Sequence, residues 1–162
     1  MQLLIQKMTE KYAIEALCWK YEKPYNFYNN VLSGSAIMEL LTNRYFVVLN
    51  EKNQLIGYFC VGKSARVPNG EVEGLYKEKC VDIGVGMRPE LTGKGYGYLF
   101  FSTILEFVQE NHVEKDLRLT VASFNQRAIH LYEKFGFVVK RRFTNKKVEF
   151  LIMKRKGDKG RM

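Results

Sequence analysis

The spacing of apolar residues in the first third of the chain predicts a strand, two helices and a hairpin. Residues 3–7 have the length and composition of a short strand. After Thr9, helical spacing predicts a first helix with one apolar face: Tyr12, Ala13, Ala16 and Leu17. Ser33 or Ser35 can begin a second helix that buries Ile37, Leu40 and Leu41. Strand patterns at 45–49 and 55–62, separated by the turn NEKNQ, predict an antiparallel hairpin.

Two segments in this part of the chain lack a period. Residues 19–30 are aromatic and polar and contain Pro24, which predicts a loop or a broken helix rather than a core element. Residues 64–79 contain Pro68, Gly70 and Gly74 and predict a connecting loop that could lie over a site.

The second half of the chain alternates strands and helices more clearly. VDIGVGM, residues 81–87, alternates apolar residues with Asp82, Gly84 and Gly86, which predicts a strand with little bulk on one face. The turn RPELTGKGYG leads into an amphipathic helix with the apolar stripe Gly97, Phe101, Ile104, Leu105 and Val108. Residues 117–122 predict another strand. Asn125 can then cap a helix with the face Ala128, Leu131, Tyr132 and Phe135, which Gly136 ends. FVVKRRF and VEFLIMK predict a closing hairpin.

Composition fits one globular domain over residues 1–155, followed by a basic tail at 156–162. The chain has 162 residues, of which 46% are hydrophobic and 27% charged, so global disorder is excluded. No run of eighteen apolar residues and no export signal is present, which predicts a cytoplasmic protein without a membrane partner. Three separated cysteines and two histidines make a poor metal set, so no metal site is expected.

The net charge of +9 is concentrated at the end of the chain. From Lys140 onward ten basic residues face two acidic ones, whereas the rest of the chain is near neutral. This asymmetry could attract an anionic partner, or it could belong to a solvated hairpin and a frayed tail. A nucleic-acid partner is therefore disfavoured, and it would bind through the basic C-terminus.

The segment TGKGYG, residues 92–97, has the chemistry of an anion cradle. Its glycines expose successive backbone amides at the start of a helix, where the peptide dipoles favour negative charge. Glycine pairs also form plain turns, so the segment alone leaves both interpretations open. The spacings GxxxxGK[ST] and GxGxxG are both absent, which excludes those two nucleotide-binding motifs.

Two motifs in order resemble the GNAT N-acyltransferase superfamily: MRPELTGKGYG and, after a helix and a strand, FNQRAIHLYEKFGF. Sequence motifs carry the resemblance over residues 81–143. Before residue 81, only the predicted order of strands and helices resembles the family. It implies an α/β fold with a mostly antiparallel central sheet, splayed fourth and fifth strands and flanking helices. It also implies acetyl-CoA as acyl donor.

The resemblance implies which residues bind the donor: Thr92, Gly93, Lys94, Gly95, Tyr96 and Gly97 would hold the pyrophosphate. The backbone of Met87 would pair with the pantetheine amides, and Gly86 would permit the approach. Asn125 could hold the pantetheine or the tetrahedral centre, although its capping role alone would explain it. Thr92 stands where the family often has Arg or Gln, so one long side chain is missing. Candidates for the remaining phosphates are Lys94, Arg127 and Lys134.

The resemblance also assigns chemical roles. Tyr132 matches the tyrosine that the family commonly uses near the CoA sulfur and is the expected general acid, with a core tyrosine as the alternative. Position in the chain, rather than the resemblance, suggests the general base: Asp82, on the fourth predicted strand opposite its apolar face, is the first choice, and Glu73 in the preceding loop is the second. A route through water with no single base is an equal alternative.

The implied activity is transfer of an acetyl group to a primary amine by direct attack in a ternary complex, on an unidentified small molecule or protein. Residues 64–79 and 19–28 would border the acceptor. Aromatic residues of the second stretch could stack on the acceptor or simply cover the sheet: Trp19, Tyr21, Tyr25, Phe27 and Tyr28. The alternatives are a non-catalytic acyl-CoA sensor and a nucleic-acid or ribosome-associated module. The sequence leaves monomer and homodimer open.

Overall fold

A computed structural model describes residues 2–157 of the chain. The described residues form seven strands: β1 (Leu4–Lys7), β2 (Tyr45–Leu49), β3 (Leu55–Val61), β4 (Val81–Met87), β5 (Leu117–Ala122), β6 (Val138–Asn145) and β7 (Val148–Arg155). They also form five helices: α1 (Glu10–Leu17), α2 (Gly34–Thr42), α3 (Pro68–Val72), α4 (Gly97–Asn111) and α5 (Gln126–Lys134). Short 3-10 turns lie at Tyr25–Tyr28, Lys63–Ala65 and Pro89–Leu91. No described helix has the length and apolar character needed to cross a membrane.

The seven strands form one mostly antiparallel sheet in the order β1-β2-β3-β4-β5-β7-β6, flanked by helices, as predicted. Bonds at both ends of the β3–β4 pair, Gly62 N–H to Asp82 O and Arg88 N–H to Ile56 O, give it antiparallel polarity. β4 and β5 are parallel, and their register ends at Ile83–Leu119 although both strands continue. The predicted divergence of the fourth and fifth strands therefore matches the point where their pairing stops.

Residue contacts divide the described chain into two compact units. The first contains the described residues up to Cys60 together with Val85–Ile104; the second contains Val61–Gly84 and the described residues from Leu105 onward. The single domain expected over residues 1–155 stays a prediction. Most of the expected basic tail, residues 158–162, lies outside the described residues.

In the first unit, α1 and α2 cover β2 and β3. Thr9 caps α1 by accepting a hydrogen bond from the Tyr12 N–H, and Ser33 rather than Ser35 caps α2 by accepting from the Ala36 N–H. The predicted apolar face of α1 is buried in full: Tyr12, Ala13, Ala16 and Leu17. Trp19 follows α1 and is 8% exposed, packed with Val47, Leu49 and Leu55. The expectation that residues 19–30 contribute nothing to the core is therefore wrong for Trp19.

In the second unit, the segment 64–79 is more ordered than its sequence predicted. It contains α3, which begins at Pro68, and a buried Tyr76. A Cβ on Gly70 would lie 2.6 Å from Tyr76 Cε2 and 3.1 Å from Phe143 Cζ, so α3 packs closely against both rings. Five residues are too few for a helical period to be visible, and tertiary packing rather than propensity stabilises so short a helix.

α5 has the predicted caps but a somewhat different buried face. The Asn125 side chain accepts from the Ala128 N–H, and Gly136 follows the helix with φ +88°. Its fully buried residues are Ile129 and Tyr132, whereas Leu131 and Phe135 are half-buried. β6 and β7 close the chain as the expected hairpin.

Gly57→Ala tests the close approach of β3 and β4 in the first unit. A Cβ at Gly57 would lie 2.4 Å from Phe100 Cε1 and 2.6 Å from the Gly86 carbonyl oxygen. We expect this overpacking to lower the free energy of unfolding by about 1–3 kcal/mol, measured by urea denaturation. Gly34→Ala, where no atom lies within 4 Å, is the control and should change it little. Equal stability of the two variants would contradict the packing.

Candidate active site

The glycine-rich loop lies between the end of β4 and the start of α4, in the first unit. Gly93 and Gly95 have φ of +71° and +85°, left-handed values that residues with a Cβ rarely adopt. Nothing lies within 4 Å of a Cβ built on Gly95, so that side of the loop is open. Thr92 donates its hydroxyl hydrogen to Pro89 O at 2.7 Å, which stabilises the preceding turn. Lys94 and Tyr96 are exposed.

This loop presents unpaired backbone donors next to a long helix. Among residues 2–157, no hydrogen bond of good geometry runs from an N–H group of residues 93–97 to a backbone acceptor. The first turn of α4 has no intrahelical carbonyls to satisfy its N–H groups, and the helix dipole adds positive potential there. The arrangement suits an anion such as a phosphate, and it uses backbone atoms alone.

The end of β4 leads into this loop, and its last residue, Met87, accepts a hydrogen bond that the sequence did not predict. Because the Arg88 N–H donates to Ile56 on β3, strand alternation directs the N–H and C=O of Met87 away from β3. The Tyr21 hydroxyl donates to that Met87 carbonyl oxygen at 2.6 Å. Burial, followed by the neighbouring Tyr58 and Glu90, raises the pKa of Tyr21, so its phenol stays protonated. One lone pair of the Met87 carbonyl therefore remains for another donor.

Arg88 anchors the same turn to the rest of the first unit. Its Nε donates to Leu55 O at 2.7 Å, and its guanidinium pairs with Glu15 on α1 and lies 5.9 Å from the centre of the Trp19 ring. Sequence reasoning did not identify these contacts, because Glu15 and Arg88 are 73 residues apart.

Asp82 lies in the second unit, in a buried ion-pair cluster. Arg118 on β5 binds both of its carboxylate oxygens, Nε to Oδ1 at 2.6 Å and Nη2 to Oδ2 at 2.8 Å. Arg66 Nε donates to Oδ2 at 2.8 Å. The Arg118 side chain is fully buried and that of Asp82 is 3% exposed. The sheet face that carries Asp82 is thus covered, whereas the sequence suggested the face opposite the core.

This cluster also holds the segment that connects β3 to β4. Arg118 Nη1 donates to Glu78 O at 2.9 Å, and the Arg66 and Arg118 guanidinium carbons lie 5.5 and 5.0 Å from the centre of the Tyr76 ring. The Tyr76 hydroxyl lies 2.8 Å from Thr120 Oγ1 and accepts from the Val67 N–H at 3.1 Å. Asp82 as a general base stays a prediction, and this geometry opposes it, because guanidinium groups occupy both oxygens.

Tyr132 and Asn125 lie on α5 in the second unit. Tyr132 is 6% exposed, its ring centre lies 6.3 Å from that of Phe137, and its backbone oxygen accepts from the Phe135 and Phe137 N–H groups. Asn125 caps α5. Their roles toward a donor molecule stay predictions. Glu73 is exposed at the end of α3.

The remaining candidates divide by exposure. Tyr25 and Tyr28 are half-buried and Phe27 is 46% exposed, so the aromatic stretch does not act as one layer over the sheet. All three cysteines are free: Cys60 is buried, Cys80 half-buried and Cys18 exposed. Among the described residues, no group of three or more His, Cys, Asp or Glu side chains is placed to hold a metal ion.

The basic residues Lys140, Arg141 and Arg142 are exposed on β6, the last strand in the sheet order. A register shift lies between Val139 and Arg141, and Arg142 pairs with Glu149 at 3.6 Å. Charged side chains and a bulge are common protections of an edge strand against pairing with other chains.

The sequence profile of the Acetyltransferase (GNAT) family matches residues 6–137, which include the glycine-rich loop and α5. The chain belongs to the GNAT acetyltransferase family. None of the curated protein sequences compared is significantly similar to it.

Solved GNAT structures share the fold at low sequence identity. Mutant forms of the spermidine/spermine N-acetyltransferase SpeG from Vibrio cholerae are 20% identical, with a TM-score of 0.68 over 98% of this chain and 96% of that one. A GNAT acetyltransferase from Bacillus anthracis is 16% identical, with a TM-score of 0.70 over 96% and 95%. One from Streptococcus pneumoniae is 19% identical, with a TM-score of 0.63 over 96% and 99%. At these identities the similarity establishes the fold of this GNAT protein.

Asp82→Asn tests the buried ion-pair cluster of this GNAT protein. The substitution leaves the fully buried Arg118 without a carboxylate, which typically costs about 3–5 kcal/mol. We therefore expect the thermal midpoint to fall by roughly 6–20 °C, measured by calorimetry. Glu149→Gln removes the exposed pair with Arg142 and is the control, with an expected loss of about 0–1 kcal/mol. If Asp82→Asn were as stable as this control, the cluster would have no structural role.

Proposed function

We propose that this protein is an N-acetyltransferase that transfers the acetyl group of acetyl-CoA to a primary amine by direct attack in a ternary complex. The observation that carries the proposal is the glycine-rich loop at the start of α4, where no N–H group of residues 93–97 has a backbone acceptor in good hydrogen-bond geometry. Membership of the GNAT family supports the reaction class.

The loop residues fit the pyrophosphate of the donor. The proposal assigns it to the backbone of Thr92, Gly93, Lys94, Gly95, Tyr96 and Gly97, supported by the left-handed glycines and the helix N-terminus. The missing long side chain at Thr92 does not weaken a cradle made of backbone amides. Lys94 is exposed and available for a further phosphate contact.

Met87 is the proposed partner of the pantetheine amides. Its backbone polar groups face away from β3, so they can pair with an extended ligand as a neighbouring strand would. The Tyr21 hydroxyl, which occupies one lone pair of the Met87 carbonyl, orients this peptide. Asn125 is the proposed second contact for the pantetheine, beside its observed capping role.

The reaction requires a bond from the amine nitrogen to the acetyl carbon and loss of the bond from that carbon to sulfur. We assign Tyr132 as the general acid that gives its phenolic proton to the departing thiolate. The amine releases its proton to water, and a proton from water restores the phenol. This route needs no carboxylate base, which agrees with the occupied oxygens of Asp82.

Gly95→Val tests the anion cradle. A branched side chain on the open side of this loop would occupy the space proposed for the pyrophosphate, so acetyl-CoA affinity should fall at least about ten-fold. Isothermal titration calorimetry measures it. The control is Gly136→Val, because Gly136 has a similar φ of +88° and equally open surroundings, so it matches the backbone strain. If folded Gly95→Val bound acetyl-CoA as tightly as the unaltered protein, the glycine-rich loop would not be the pyrophosphate site.

Tyr132→Phe tests the general acid. The substitution keeps the buried ring and removes only the proton donor, so acetyl-CoA affinity should change little. General acid catalysis typically contributes about 10²–10⁴-fold, so kcat should fall by that order, measured by thiol release with an accepted amine. If Tyr132→Phe kept full activity, Tyr132 would not be the general acid, and another group would have to protonate the departing thiolate. Donor binding by the unaltered protein without amine-dependent thiol release would instead favour an acyl-CoA sensor.

A further inference from the structure

The segment that follows α1 binds the end of β4 within the first unit. The Tyr21 hydroxyl donates to the Met87 carbonyl oxygen at 2.6 Å, across 66 residues of chain. The Tyr21 ring packs against a buried cluster that contains Trp19, Val47 and Leu49. Packing therefore fixes the position from which this hydroxyl reaches β4.

Tyr21 is also held by its own segment. Its N–H donates to Asn29 Oδ1 at 2.8 Å, and Lys20 Nζ donates to Asn30 O at 3.4 Å, so this segment closes on itself. Burial is the largest cause that raises the pKa of Tyr21, so the phenol keeps the proton that it donates. Tyr21 is thus a hydrogen-bond donor fixed at its ring and at its backbone.

Met87 is the residue whose backbone the proposed function assigns to the pantetheine arm, so this inference rests on that proposal. A carbonyl oxygen has two lone pairs, and Tyr21 occupies one of them. An amide N–H of the arm would bind the other. Because Tyr21 already holds this oxygen in place, less conformational freedom is lost when the arm binds.

The position of β4 in the sheet does not depend on Tyr21. The Arg88 N–H donates to Ile56 O at 2.8 Å and its Nε donates to Leu55 O at 2.7 Å, which holds the end of β4 on β3. Loss of the Tyr21 hydroxyl should therefore release the Met87 carbonyl without detaching the strand.

We propose that Tyr21 is a positioning residue of the donor site, which acts on the pantetheine arm and not on the pyrophosphate. The amides of the glycine-rich loop bind the nucleotide half of the donor. The Met87 carbonyl, oriented by Tyr21, aligns the arm that carries the thioester. Residues 19–28, expected to border the acceptor, thereby also take part in binding the donor.

The test titrates the full-length protein by calorimetry with acetyl-CoA and with 3′-phospho-ADP, which keeps the pyrophosphate but lacks the arm. Tyr21→Phe removes only the hydroxyl. Acetyl-CoA affinity should therefore fall about three- to ten-fold, as is typical for the loss of one hydrogen bond. The affinity for 3′-phospho-ADP should stay unchanged.

Tyr12→Phe is the matched control. The Tyr12 hydroxyl also donates to a backbone carbonyl, that of Asn53 at 3.2 Å, but at the turn between β2 and β3. This variant should leave both affinities unchanged. If Tyr21→Phe bound acetyl-CoA as tightly as the control, or lost affinity for both ligands equally, the inference would be wrong.

Two variants of Asn29 test the same segment without altering the phenol. Asn29 is exposed, so its replacement should not disturb folding. Asn29→Ala removes the acceptor of the Tyr21 N–H and should lower the ratio of acetyl-CoA to 3′-phospho-ADP affinity at least about two-fold. Asn29→Asp keeps an acceptor oxygen and should preserve that ratio. If Tyr21→Phe does not fold, this pair decides, and equal ratios in the two Asn29 variants would overturn the inference.

Failure of the proposed function gives a different result. If the unaltered protein did not bind acetyl-CoA, the proposed function would be overturned. If it bound acetyl-CoA no more tightly than 3′-phospho-ADP, the arm would contribute nothing to affinity, and this inference alone would be overturned.

Discussion

The bidentate ion pair between Asp82 and Arg118 lies at the centre of the parallel pairing of β4 with β5, on which the second unit depends. The pairing covers three residues of each strand, and Asp82 opposite Arg118 is the middle pair. A buried guanidinium is costly unless its donors are satisfied, and here they bind the carboxylate and the carbonyls of Tyr76 and Glu78. The pair thereby joins the two strands and the connection that precedes β4. A carboxylate in this structural role is poorly suited to accept a proton during catalysis.

The Asp82–Arg118 pair is made by side chains, whereas the proposed donor site uses backbone atoms to bind its ligand. β4 ends with polar groups of Met87 directed away from β3, and the following turn exposes the amides of residues 93–97. Glycine is required where φ is left-handed, at Gly93 and Gly95, because a side chain there would be strained. Such a site tolerates changes in side chain, which explains why Thr92 can replace the long polar residue frequent in the family.

The region expected to border the acceptor differs because it consists of side chains. Trp19 and Tyr21 follow α1 and lie near Tyr45 of β2 and Tyr58 of β3, and the Tyr21–Met87 hydrogen bond joins this group to the end of β4. GNAT neighbours such as the spermidine/spermine N-acetyltransferase share the fold at 20% identity, a level at which acceptor-binding side chains need not correspond.

The sequence alone determined the order of the elements, the helix caps at Thr9 and Asn125, the glycine-rich loop and the family. Each of these depends on local chemistry: a capping oxygen, a residue without Cβ, or a motif of fixed spacing. Only the tertiary structure decided the role of Asp82, since Arg118 is 36 residues away and meets it through strand register. The same holds for the Tyr21–Met87 bond, which spans 66 residues, and for α3, which is too short to show a period. Contacts between distant residues depend on how strands pair and helices pack, and no local pattern in the chain records that.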